Sequence, residues 1–164
     1  MSPIEIEESG LLKWFERVSE LSQINVETGT GGPFAALVIR NGELIAEGTN
    51  RVLADKDPTA HAEVVAIRNA CKVLGTFQLD DCILISSCEP CPMCFGAIYW
   101  ARPNMVYFCN DREQAAEIGF DDNLIYTEIN MKPLDRKIPF IPVAFEPAKR
   151  AFQIWKDKVG KTNY

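Results

Sequence analysis

The chain of 164 residues is 47% hydrophobic and 24% charged, with 17 basic against 23 acidic residues and a formal charge of -6. This composition supports one domain, residues 1–164, with its own core, and it holds no apolar run of about eighteen residues to span a membrane. The acidic balance argues against a nucleic acid as partner, because polyanion binders present a basic footprint. The acidic N-terminus lacks the basic-then-apolar order of a secretory leader, so the expected location is cytoplasmic. In such a chain the six cysteines read as thiols rather than as a disulfide framework.

Leu11, Leu12, Phe15, Val18 and Leu21 recur at helical spacing, which predicts an amphipathic helix over about residues 9–24. Thr28–Pro33 reads as a loop. Two apolar runs follow, Phe34–Arg40 and Glu43–Glu47, joined by Asn41-Gly42; both residues tolerate positive φ, which predicts a tight hairpin. The polar segment from Gly48 to Thr59 carries Asn50. Thr59 is the expected N-cap of a helix reaching Leu74, with Val64, Ile67, Cys71 and Leu74 on its buried face and Gly75 closing it. Cys82–Ser86 reads as a buried strand, Pro92 as the first residue of a helix to about Ala101, and Met105–Cys109 as another strand. After a mixed region, Ile141–Phe145 reads as a short strand and Pro147–Lys158 as a closing helix. Strands alternating with helices around a hairpin predict an α/β fold with a mixed central sheet of about five strands.

His61 is the only histidine, so any chemistry that needs an imidazole must use it. It lies in His61-Ala62-Glu63 at a predicted helix start, ahead of Pro90-Cys91-Pro92-Met93-Cys94 at another. Near a helix N-terminus, free N–H groups and the dipole favour thiolate, the form in which Cys91 and Cys94 bind metal. Two thiolates and an imidazole leave one tetrahedral position open, which distinguishes catalytic from structural zinc. Each motif alone is weak: His-x-Glu is often a solvated polar pair, and Cys-x-x-Cys a redox pair or two core thiols. Cys88, Cys91 and Cys94 also imitate a ferredoxin run, but that run needs a fourth cysteine where this chain has Ile98. Cys88 is then a buried or hydrogen-bonded neighbour, and Cys71, Cys82 and Cys109 read as core thiols.

Together and in order, the two motifs resemble the signature of zinc-dependent deaminases in the cytidine-deaminase superfamily. That resemblance implies a three-layer α/β/α fold and one zinc ion per chain, held by His61, Cys91 and Cys94. Glu63 would shuttle protons without binding the metal. Longer segments are similar to bacterial guanine deaminases: Gly31-Gly32-Pro33-Phe34, Asp57 to Glu63, Cys88 to Cys94, Gly96 to Arg102, and Gly119-Phe120-Asp121-Asp122. The similarity runs from about residue 31 to Tyr164 and implies hydrolysis of guanine to xanthine and ammonia. Among matching residues, Asn50 would hydrogen-bond the purine, and Asp122 would bind and help deprotonate its amino group. Phe34 and Trp100 would pack on the base, and Tyr164 would help close the pocket. Each has a second reading: Asn50 as a turn residue, Asp122 as a helix cap, Phe34 and Trp100 as core aromatics, Tyr164 as a chain end.

The same resemblance implies a homodimer in which about residues 147–164 are exchanged between subunits and the tail forms a lid. Two rival functions stay open. One is a superfamily deaminase acting on guanosine, cytosine or tRNA adenosine. The other is a non-catalytic zinc module, closed by Cys88 as a fourth ligand.

Overall fold

The computed structural model describes residues 10–162. In chain order they form α1 (Leu12–Glu27), β1 (Ala35–Arg40), β2 (Glu43–Thr49), α2 (Val52–Asp55), α3 (Ala62–Leu74), β3 (Cys82–Cys88), α4 (Pro92–Ala101), β4 (Met105–Asn110), α5 (Arg112–Glu117), α6 (Asn123–Ile129) and α7 (Lys149–Asp157). A first compact unit ends at Asp122 and a second begins at Asn123. No helix among the described residues is long and apolar enough to cross a membrane.

The first unit is organised around β1. Asn41 (φ 51°) and Gly42 (φ 76°) both occupy the left-handed region, the pairing that lets a two-residue turn match the twist of its strands. β1 therefore runs antiparallel to β2, from Arg40 opposite Glu43 to Ala35 opposite Thr49, with a register shift between Val38 and Ile39. On its other edge β1 pairs antiparallel with β3, and β3 pairs parallel with β4, giving the order β2-β1-β3-β4. Parallel neighbours need a crossover, and α4 supplies it.

Ala35 through Ile39 are all buried, as expected for a central strand covered on both faces. Alternate side chains leave a strand on opposite sides. Ala35, Leu37 and Ile39 accordingly pack with Phe15 and Val18 of α1, while Ala36 and Val38 pack with Ala62, Ala66 and Ala70 of α3. Helices on both faces make the three layers. Leu37, Leu84 and Ile85 are fully buried, and burial of each contributes about 1.5–3 kcal/mol. The close approach of α3 to β2 rests on Gly48, where a Cβ would overlap the Ala62 carbonyl and the Ala66 amide nitrogen. That approach sets the position of the N-terminus of α3, where His61 sits.

Several expectations are corrected. α1 begins and ends about three residues later than its apolar spacing suggested. Thr59 is not the N-cap of α3: Asp57 Oδ1 accepts from the Thr59 N–H and hydroxyl at 2.8 and 2.7 Å, an Asx turn that keeps the chain out of the helix. His61 takes the cap position with extended φ and ψ, and Gly75 closes the helix at φ 65° as expected. Cys109 is exposed rather than a core thiol, because β4 is an edge strand. The described sheet has four strands, not five. In the second unit Ile141–Phe145 forms no ladder; its side chains are exposed, and Pro142 has no N–H to donate. The closing helix is a 3-10 turn, Glu146–Ala148, running into α7.

Candidate functional site

His61 and Cys91 hold equivalent places, each the N-cap of its helix with extended backbone, and Pro92 opens α4 with its fixed φ. Cys94, fully buried in the first turn of α4, completes the group. His61 Nδ1 lies 3.4 Å from Cys91 Sγ and 3.6 Å from Cys94 Sγ. The three ligand atoms all fall within 4.8 Å of one another. Tetrahedral zinc, with bonds of about 2.3 Å to sulfur and about 2.05 Å to nitrogen, requires S···N separations of about 3.6 Å. The donor set fits zinc in both chemistry and spacing.

Electrostatics supports the same assignment. The Cys91 thiol is pushed down to about 4 by the hydrogen bond from Cys94, and further by its contact with His61. Cys94 moves up, held protonated by that same bond and by burial. The hydrogen bond to Cys91 raises His61. A divalent cation held by this group would take both sulfurs as thiolates and the imidazole as neutral.

Glu63 is buried in the first turn of α3. Its Oε2 lies 3.3 Å from Cys94 Sγ, and its Oε1 accepts from the Ser86 hydroxyl at 3.3 Å. Burial pushes this carboxyl up, toward the range where it can both take and return a proton. Ser86 was missed by sequence reasoning; its signal is a pair of hydroxyls, Ser86 and Ser87, at the end of a buried, otherwise apolar strand.

Asn50 is buried where β2 ends. Its N–H donates to the Phe34 carbonyl, and the next N–H, of Arg51, donates to Ala60 beside His61, both at 2.9 Å. Phe34 meets Phe120 edge to face at 4.8 Å between ring centroids, so Phe120 joins the aromatic residues, Phe34, Trp100 and Tyr164, that the sequence had singled out. Asp122 is half-buried; burial and then Cys91 push its carboxyl up, while His61 pulls it down, which puts it within electrostatic reach of the ligand cluster. Trp100 lies in the last turn of α4 and is 65% exposed, so it is not a core aromatic. Tyr164 lies outside the described residues. Cys88 is buried with its thiol donating to the Asp111 carbonyl at 3.7 Å, outside the metal-ligating group found among the described residues.

A family model described as the cytidine and deoxycytidylate deaminase zinc-binding region matches residues 10–110. Guanine deaminase of Bacillus subtilis is 52% identical over 151 residues, covering 92% of this chain and 97% of that protein. The X-ray structure of guanine deaminase from Bacillus subtilis superposes with a TM-score of 0.91 at 49% identity, covering 98% of this chain and 99% of that one. A relative solved in complex with 2,6-diaminopurine shares a TM-score of 0.63 and 39% identity over 66% of this chain and 60% of that one. With the ligand geometry and a family match over more than half its length, this chain belongs to the zinc-binding cytidine and deoxycytidylate deaminases.

Proposed function

We propose that this protein is a guanine deaminase, which hydrolyses guanine at C2 to xanthine and ammonia. The observation that carries this reading is a buried carboxylate, Glu63, beside an open three-ligand centre, in a chain 52% identical to a guanine deaminase over nearly its whole length. Zinc, when bound by His61, Cys91 and Cys94, supplies the Lewis acidity that makes an attacking water nucleophilic near neutral pH. Glu63 removes the water's proton as the new C2–O bond forms and delivers it to the 2-amino nitrogen, so that the C2–N bond breaks with ammonia leaving. The Ser86 hydroxyl, donating to Oε1, aims the carboxyl at the ligand cluster, with Oε2 on the side of Cys94.

Asp122 accepts from the donor edge of guanine, N1–H and the 2-amino group, and any proton it draws from the amino nitrogen as water adds at C2 returns to that nitrogen before ammonia leaves. Asn50 Oδ1 already accepts the Val52 N–H at 3.3 Å, which leaves Nδ2 to donate to an acceptor of the purine ring. Phe34, backed by Phe120, offers a ring to the face of the base. Trp100 and Tyr164 complete the enclosure, a role assigned to them by resemblance. The active species is a homodimer with exchanged C-terminal segments. Supporting this, no residue from 123 to 162 is buried, although Ile138, Val143 and Phe152 are among the apolar side chains there.

The test is ammonia release from guanine, guanosine, cytosine and adenine by protein with its zinc content measured. Guanine should be deaminated at least a hundredfold faster than the others. Preference for another base would replace the substrate, and absence of turnover in zinc-loaded protein would end the reading.

A further inference from the structure

Asn25 lies in the last turn of α1 and is 4% exposed, a buried amide for which the chemistry described above has no use. Buried amides persist only where their hydrogen bonds are made. Both hydrogens of Asn25 Nδ2 go to main-chain carbonyls of different segments: Gly32 at 2.8 Å and Asn50 at 3.0 Å. Its own carbonyl accepts the N–H groups of Thr30 and Gly31 at 3.1 and 3.4 Å. Gly31 in turn runs so close to Asn50 that a Cβ there would overlap the Asn50 carbonyl and come within 2.8 Å of its Oδ1. One side chain thus ties the helix end to the glycine loop before Phe34 and to the segment that carries Asn50.

We infer that Asn25 is a positioning residue for base binding, acting through Asn50 and resting on the assignment of Asn50 to the purine. Backbone carbonyls cannot choose between neighbours. The carboxamide, with two hydrogens at a fixed angle, holds Gly32 and Asn50 at one separation and so sets where Asn50 Nδ2 presents its donor. The chemical step does not pass through Asn25, and its effect belongs on substrate affinity.

Asn25→Asp puts an oxygen against two carbonyl oxygens, and Asn25→Ala removes both bonds. In each, KM for guanine should rise at least tenfold while kcat falls less than threefold and zinc per chain is unchanged. In an Asn50→Ala background the same substitutions should change KM less than threefold, because the two residues act as one. An unchanged KM in folded Asn25→Asp, or a full KM effect persisting in the Asn50→Ala background, would overturn the inference. Should the Asn25 variants fail to fold, Gly31→Ala probes the same packing. It should raise KM in the same way, and an unchanged KM there overturns the inference equally. Failure of the guanine assignment is a separate result, visible in the unmodified protein before any variant is made. The same KM comparisons then apply to whichever base that protein deaminates.

Discussion

Glu63 and Ser86 illustrate how a side chain acquires a role from its surroundings. A carboxyl on a solvated helix end is ordinary; buried between a hydroxyl and a ligand thiol, it becomes a proton carrier. Glu63→Gln keeps the shape and both contacts but cannot cycle a proton. It should bind zinc at one per chain, measured by elemental analysis, while kcat drops on the order of a thousandfold; loss of zinc would mean that Glu63 is a ligand instead. Ser86 contributes one hydrogen bond to a carboxylate, worth about 1.5–3 kcal/mol, so Ser86→Ala should cost about ten- to a hundredfold in kcat, and Ser86→Thr should restore it. A threonine variant no better than alanine would assign Ser86 to packing. Glu63 was legible because it sits two positions from His61 in a local motif. Ser86, Asn25 and Phe120 were not, since their contacts join residues far apart in the chain and leave no periodic mark.

At the level of elements, the metal site is a junction between two helix N-termini from different parts of the fold. α3 is seated on β2 through Gly48, α4 is the crossover between β3 and β4, and His61, Cys91 and Cys94 are their facing ends. Metal binding to the folded arrangement stabilises it by mass action. With zinc about a thousandfold above its Kd, chelation should remove about 4 kcal/mol, on the order of 10 °C in Tm by calorimetry. Cys94→Ala should lower zinc content and Tm together and be insensitive to chelator; a metal-free form melting where the zinc form does would detach the ligands from the fold. The elements that build this junction were readable because each carries short-range chemistry: the Asn41-Gly42 turn, Pro92 at a helix start, Gly75 at a helix end. Thr59 misled because the Asp57 side chain competes for it locally. The fifth strand misled because apolar alternation marks a segment able to pair without bringing it to an edge, and Ile141–Phe145 pairs with no strand among the described residues.

For the whole molecule, the apolar surface is the quantity to explain. Ile138, Phe140, Ile141, Val143, Phe145 and Phe152 are each more than half exposed, far beyond the scattered apolar residues that a monomer carries. Among the described residues β4 pairs on one edge only, with exposed Met105 and Phe108 along it. A bare edge strand offers a row of unpaired N–H and C=O groups. Ile141–Phe145 of a second copy suits that edge, since a strand at the rim of a sheet tolerates Pro142 with its nitrogen turned outward. Sedimentation equilibrium at micromolar concentration should therefore give twice the mass of the chain. Val143 is 78% exposed, so in a monomer Val143→Glu should change stability by no more than about 0.5 kcal/mol. In the exchanged dimer it places a charge in a buried contact, and the protein should sediment as a monomer. Guanine turnover should fall at least tenfold in the same variant if, as proposed, Tyr164 of the exchanged segment closes the site. A wild-type monomer, or a Val143→Glu protein that stays dimeric and fully active, would show that the C-terminal segment folds back without a partner.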